Sequence, residues 1–509
     1  MESVVKSIKI NNLRSICMTE SIKLLPITVL IGKNSAGKST FGRSFPLIRQ
    51  SCEAKKRAPI LWFGDRVDFG SFEKSIYRRA DKKNEIEFTF DVIASNISAT
   101  KTARALHSET EHSQFGASIF IAIRKAGAHR SLASRVQIDA LGYRVSIRFS
   151  ETNNLESLKC NTHEWRPQVT DYTDAEYLSI LPKLNILREM SDREGKKTYG
   201  AIAPFYDSIV EVLNNSDFSS RDYILMIVLD APVLARGALF EFVISRLRHF
   251  DKNFNSIDFL KLQKFIENIE EYVFASKINQ LIAMVDESIK TYYSGVKYIE
   301  PLRATAQRYY RKQELALDEI DSRGENLAMF LDNVGPWFVE EFNDWTTKHF
   351  GFYAKTINEG GHVAIVIGES GSKDVSNLAD IGFGFSQILP VITQMWLATR
   401  PVQRSKRTNC IVIEQPELHL HPSFQAKLAD VFSAVAGIGD APHLIIETHS
   451  NHIVNRFGQL ISEGKLKHSD VQILIFEKVP DSESIIRKAG FDEDGYFVNW
   501  PIGFFEPEM

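Results

Sequence analysis

The sequence predicts an α/β fold: a mixed sheet that carries an antiparallel β arm, interrupted by an inserted helical domain. Three observations predict it. Short apolar runs ending in glycine or a carboxylate occur early in the chain and again late, as buried parallel strands do. Period-two segments fill much of residues 86–149, and from about residue 171 apolar side chains recur every three or four positions. With 509 residues the chain exceeds one ordinary hydrophobic core, so two or more lobes are expected.

At the N-terminus, the alternation of Lys6, Ile8 and Ile10 and the apolar character of 17–31 give two or three strands. The last of them opens onto Gly32-Lys33-Asn34-Ser35-Ala36-Gly37-Lys38-Ser39-Thr40, a Gly-x4-Gly-Lys-Ser spacing followed by helix-competent sequence. That order is what a P-loop needs. Gly32 and Gly37 allow a tight turn that aims successive N–H groups at a triphosphate. Lys38 is placed to reach the β- and γ-phosphates, and the Ser39 hydroxyl to bind Mg²⁺. The helix that starts near Gly37 turns its positive end toward the same anion. ATP and Mg²⁺ are therefore the expected cofactors. The helix contains Gly42 and Pro46, so a kink or interruption is expected near Pro46.

Residues 67–72 read as a turn. After it, 86–90, 118–123 and 136–149 have period-two character and form the antiparallel arm. Two helical series follow: Phe259, Leu262, Phe265, Ile266, Ile269, Tyr272 and Val273, then Ile278, Leu281, Ile282, Val285 and Ile289. They are too short and irregular for a long coiled coil, so an insertion is expected rather than a rod. The expected organisation is a head lobe with the P-loop and arm over 1–150, a helical insertion over 151–297 and a second head lobe over 298–509.

A basic, aromatic piece then carries Arg303, Arg308, Tyr309, Tyr310, Arg311 and Lys312. It reads as the solvated face of a helix with its Tyr rings turned inward; the functional alternative is an anion or nucleic-acid contact. The runs at 55–57 and 400–407 read as solvated charge. Buried parallel strands are expected at 363–367, 410–413, 443–446 and 471–476.

Ile411-Val412-Ile413-Glu414 is an apolar strand ending in a carboxylate, and Glu414 is the expected Mg²⁺ acid. Gln415-Pro416-Glu417-Leu418-His419-Leu420-His421-Pro422 follows; Glu417, His419 and His421 lack a further ligand at suitable spacing, so a separate metal site is not read there. Leu444-Ile445-Ile446-Glu447-Thr448-His449-Ser450 ends a second such strand, and His449 can approach a γ-phosphate. Between insertion and acid strand, Asp380-Ile381-Gly382-Phe383-Gly384-Phe385-Ser386 opens an apolar helix, a helix N-terminus suited to phosphate.

Net charge is −3 from 61 basic and 64 acidic side chains, so any basic surface must be local. Hydrophobic content of 44% and charged content of 25% are those of a soluble globular protein. No stretch is long and apolar enough to span a bilayer, and residues 1–6 lack the layout of a signal peptide. Cys17, Cys52, Cys160 and Cys410 are scattered, which suggests neither zinc nor a disulfide framework, and a cytoplasmic location is expected.

The P-loop, the Gly384–Ser386 signature, the Glu414 to Pro422 motif and Thr448-His449-Ser450, in that order, resemble the ABC-type ATPases of the SMC and Rad branch. The resemblance is closest to the overcoming-lysogenization-defect (OLD) and Septu antiphage ATPases. It covers about residues 1–90 and 298 onward, including Tyr298-Ile299-Glu300-Pro301-Leu302-Arg303 and the terminal 500–505. It implies an ABC-type head that sandwiches ATP between two copies of the chain. Lys38 and Ser39 of one copy would face Gly384 and Ser386 of the other, with Glu414 as the Walker B acid and His449 as the switch histidine. Active relatives carry Glu directly after the Walker B acid, whereas this chain has Gln415, whose amide cannot accept a proton as a carboxylate does. Slow hydrolysis is therefore expected, with Glu417 as a substitute catalytic group. OLD-type nucleases carry their own nuclease domain; here little chain follows His449, which resembles the Septu arrangement. That arrangement implies a separate HNH-type nuclease partner, a role in antiphage defence, and nucleic acid (retron RNA/DNA or phage DNA) in the system. The alternatives are a nucleotide-gated scaffold without real hydrolysis and an SMC-like DNA repair ATPase.

Overall fold

The computed structural model describes residues 4–77, 84–95, 114–127, 130–169, 171–191, 197–216, 221–250, 259–313, 317, 319–372, 374–400, 408–478 and 484–501. Residues 401–407 of the second basic run and 502–505 of the terminal motif lie outside the described residues.

The head is built on a seven-stranded sheet in the order Val296–Ile299, Cys410–Glu414, His443–Glu447, Ile27–Gly32, Val471–Lys478, Ser484–Phe491, Phe497–Val498. The first five strands run parallel and the last two antiparallel, so the expected mixed sheet is present. Every residue of Ile27–Gly32 and of Cys410–Glu414 is buried, which explains why these strands are continuous apolar runs rather than alternating ones. Alternate side chains feed two cores. Leu30, Val412 and Ile445 point into one, and Val29, Ile31, Ile413 and Ile446 into the other.

The first core lies between this sheet and a nine-stranded antiparallel sheet that runs from Val5–Leu13 to His163–Trp165. Helices Lys38–Glu53 and Ile278–Ser294 fill the space: Phe41, Phe45, Leu281 and Ile289 share one core with Phe88 and Phe90 of the arm, and Tyr293 meets Phe90 edge-on with ring centroids 5.9 Å apart. Such aromatic and branched side chains each contribute roughly 1.5–3 kcal/mol when fully buried. The second core takes helices Phe383–Ala398, Pro422–Ala436 and Asn451–Ser462 and a four-stranded sheet around His362–Glu369.

Several expectations are corrected. The segment 151–297 is not helical throughout. The arm continues through Leu155–Cys160 and His163–Trp165, and Asp171–Tyr177, Pro182–Ser191 and Lys197–Ala201 form a three-stranded sheet. In Asp171–Tyr177 the inward positions are Thr173 and Ala175, too small or polar to register as an apolar alternation. Helices begin at Tyr206–Asn214, and the helical unit with its own core spans Ile209 to Val273. Ile278–Ser294 belongs instead to the head, where it packs on Lys38–Glu53. Residues 136–149 are two strands, Arg130–Ala140 and Tyr143–Phe149, joined by a hairpin in which Leu141 and Gly142 take φ 57° and 86°. The strand His362–Glu369 is antiparallel, paired with Phe352–Glu359; continuous burial of its centre reports cover on both faces and says nothing of strand direction. Helix Lys38–Glu53 is not interrupted at Pro46. Gly42 has a packing reason instead: a Cβ there would stand 3.4 Å from Val412 and 3.8 Å from Leu30 of the sheet.

Candidate active site

The parallel strands deliver their C-terminal ends to one edge of the sheet, the edge at which open α/β sheets receive ligands. The P-loop turns there. Gly32 has φ 140°, and a Cβ on it would lie 2.1 Å from the carbonyl oxygen of Phe476, so only glycine fits. Gly37, at φ 116°, immediately precedes helix Lys38–Glu53, and Ser35 takes a left-handed φ of 61°. Lys33, Asn34 and Ser35 are exposed at the rim, while Ala36 and Gly37 are buried beneath them. The Lys38 ammonium donates to the carbonyls of Gly32 at 2.8 Å and Lys33 at 3.0 Å. Burial lowers its pKa, and the Glu447 carboxylate partly opposes this. Thr40 shares a 3.1 Å hydroxyl hydrogen bond with Ser15.

Ser39 does not face Glu414. Its hydroxyl donates to Oε1 of Glu447 at 3.0 Å. Glu447 ends the strand adjacent to the P-loop strand and is only 4% exposed; its Oε2 has no hydrogen-bond partner. Burial, then the charge of Glu414, pushes its carboxyl up to about 7. Glu414 is level with Glu447 on the next strand outward. Both its oxygens are engaged: Arg43 donates through Nε and Nη2 at 2.7 Å each, and the Tyr298 hydroxyl donates at 2.9 Å. The Glu414 carboxylate in turn raises the pKa of Arg43.

These oxygen donors suit a hard cation such as Mg²⁺, and the glycine cradle leaves backbone N–H groups for phosphate. Residues 4–454 match the AAA ATPase domain family, a span that holds the P-loop, both acid strands and His449. The chain belongs to that family. Similar solved structures include the Smc head domain with an extended coiled coil bound to the C-terminal domain of ScpA from Pyrococcus furiosus. It is 13% identical, with TM-score 0.36 and 96% of each chain covered. The SMC head domain from Thermotoga maritima is 8% identical, with TM-score 0.34, over 96% of this chain and 99% of that one. No curated protein matches the sequence.

Around this AAA ATPase centre, the loop after Glu414 is tightly fixed. Gln415 takes φ 46° and donates its N–H to the Glu447 carbonyl at 2.7 Å. Glu417 Oε1 accepts the His449 N–H at 2.7 Å, and its Oε2 is without a partner. Burial raises the Glu417 pKa. His449 is exposed at the strand end, where partial desolvation of its ring, and then the charge of Lys38, lowers its pKa. Lys38, Ser39, Glu414, Glu417 and His449 thus lie at or just beyond the C-terminal ends of three neighbouring parallel strands.

Gly384 and Ser386 lie elsewhere in the loop network. They open helix Phe383–Ala398, where Ser386 donates to the Phe383 carbonyl at 2.8 Å. A Cβ on Gly384 would stand 2.9 Å from the His419 carbonyl oxygen. Among the described residues, no hydrogen bond joins either one to the P-loop of the same chain. His421 caps helix Pro422–Ala436, its Nδ1 accepting the Ser423 N–H at 3.3 Å.

The reading of Arg303 as a solvated helical side chain is wrong. It is 4% exposed, in a loop, and donates to the carbonyls of Glu414 at 2.9 Å and Gln415 at 3.4 Å. Its backbone N–H and carbonyl are held by the Gln387 amide, so it ties helix Phe383–Ala398 to the end of the acid strand. Burial lowers its pKa to about 10. Glu447, Arg43 and Tyr298 were not picked out as site residues from sequence. A signal for Glu447 existed: Ile-Val-Ile-Glu at 411–414 and Leu-Ile-Ile-Glu at 444–447 are the same kind of strand ending in the same acid.

Proposed function

We propose that the chain binds ATP with Mg²⁺ and hydrolyses it slowly, as an ABC/SMC-like head that pairs with a second copy. Lys38 and the N–H groups of residues 33–40 hold the phosphates, and Ser39 with the strand-end acids serves the cation. Gly384 and Ser386 of the second copy complete the pocket. Bound Mg²⁺ would neutralise phosphate charge as it develops. Gln415 orients water without taking its proton, and His449 stands where a γ-phosphate can be sensed. In this reading the nucleotide state of the paired heads regulates a separate nuclease, of HNH type, in antiphage defence.

The observation that carries the reading is the buried Lys38 ammonium closing the Gly32 turn, with Ser39 and the acids of two adjacent strands beside it. Phosphate release by the purified chain, compared with Lys38→Ala, tests it. Turnover lost in the variant supports the reading; equal rates would remove it. A nucleotide-gated scaffold is the second reading, favoured by Gln415 and by the engagement of both Glu414 oxygens. ATP binding that is lost in Lys38→Ala, without turnover in the parent, selects it.

A further inference from the structure

We propose that Glu447, rather than Glu414 alone, is a carboxylate ligand on the protein side of the divalent-cation site beside Ser39. This rests on the ATP-binding reading above and assigns a residue within it. A carboxylate is acceptor-only, with about four lone-pair directions. Glu414 already receives three donor hydrogens, two of them from a charge-assisted, bidentate Arg43. Glu447 receives one, from Ser39, and its Oε2 is buried with no partner.

A carboxyl oxygen buried without a partner is costly in either protonation state, and it persists in folded chains where a ligand satisfies it. The two strands set the geometry. Ile27–Gly32 pairs directly with His443–Glu447, so Glu447 stands one strand from the P-loop and Glu414 stands two. The Ser39 hydroxyl also points its proton at Glu447 Oε1, which leaves the lone pairs of Ser39 free for a cation. Ser39 and Glu447 together therefore offer adjacent oxygens of the kind Mg²⁺ takes. Arg43 meanwhile holds Glu414 as a neighbouring charge that is already neutralised.

The test compares the affinity of the full chain for a fluorescent ATP analogue in EDTA and in Mg²⁺, with Mn²⁺ binding followed by EPR. Wild type should bind more tightly with the cation. Glu447→Gln should keep its EDTA affinity and lose about tenfold or more of the cation-dependent gain, with a matching loss of bound Mn²⁺. Glu447→Asp should recover part of it, and Ser39→Ala should show the same selective loss. Full cation-dependent gain and full Mn²⁺ binding in Glu447→Gln would overturn the assignment. So would a loss in EDTA as large as that in Mg²⁺, which marks a merely structural residue. Lys38→Ala distinguishes a failed cation ligand from a failed ATP site: if it leaves both affinities intact, the ATP site itself is misplaced.

Discussion

Arg43 grips Glu414 through two hydrogen bonds of 2.7 Å, and Glu414 is 2% exposed. A charge so deeply placed depends on its partner. Arg43→Ala should destabilise the folded chain by about 2–4 kcal/mol, because the carboxylate then keeps only the Tyr298 hydroxyl. Adding Glu414→Gln should recover most of that loss, since the uncompensated charge is gone. Urea unfolding of the single and double variants measures both, and additive losses would show that the pair is not coupled.

Glu447 makes stability depend on pH in the opposite sense from an ordinary paired acid. Its folded value is raised from 4.5 to about 7, so the folded chain holds a proton that the unfolded chain has released in between. The group's favourable contribution is full below the unfolded value and is lost as pH rises through about 7. Glu447→Gln should therefore raise the unfolding free energy of the ligand-free chain at about pH 8 by at most about 3 kcal/mol, with the gain shrinking toward about pH 5. A gain that grows on acidification would contradict the placement of this carboxyl.

Asp286 on helix Ile278–Ser294 accepts the backbone N–H groups of Ser179, Ile180 and Leu181 at 2.9, 2.9 and 2.8 Å, and the Ser179 hydroxyl as well. It is 3% exposed and anchors a chain turn onto the head. Asp286→Ala should cost about 2–4 kcal/mol by leaving several buried donors unpaired. Hydrogen exchange should show lost protection at 179–181 while the P-loop strand stays protected.

Gly32→Ala should be among the most damaging single changes. The added Cβ meets the Phe476 carbonyl at 2.1 Å, and φ of 140° is foreign to other residues. The expected result is a loss of about 3 kcal/mol or more, with nucleotide binding lost as well. Gly116→Ala is the control, since a Cβ there meets nothing within 4 Å.

Much of the head was legible because its signals are local. A P-loop is a contiguous spacing, and Ile411-Val412-Ile413-Glu414 and the strand before His449 are short apolar runs buried on both faces. What was missed is set by tertiary placement. That Ser39 meets Glu447 follows from strand order, with His443–Glu447 between Cys410–Glu414 and Ile27–Gly32. Arg303 looked like one of several surface cations because only the fold shows it threading beneath Glu414 and Gln415. The strand Asp171–Tyr177 was hidden by small or polar inward residues, Thr173 and Ala175, whereas its partner Pro182–Ser191 does alternate at Leu184 and Ile186 but over too short a stretch to stand out. Direction along a sheet was equally invisible: His362–Glu369 and Cys410–Glu414 are both buried runs, yet one is antiparallel and the other parallel.

ATP turnover by a mixture of two inactive variants shows whether two chains share one pocket. In a paired head, Lys38→Ala spoils the loop of its own copy and Ser386→Arg spoils the turn offered to the mate. Each purified variant, shown by its melting curve to be folded, should be inactive alone. Mixed in equal amounts, they should recover roughly a quarter of wild-type turnover, because half of the dimers then hold one intact site of two. Turnover that stays at the level of the separate variants would contradict a pocket shared between the Lys38 loop of one chain and the Ser386 turn of another.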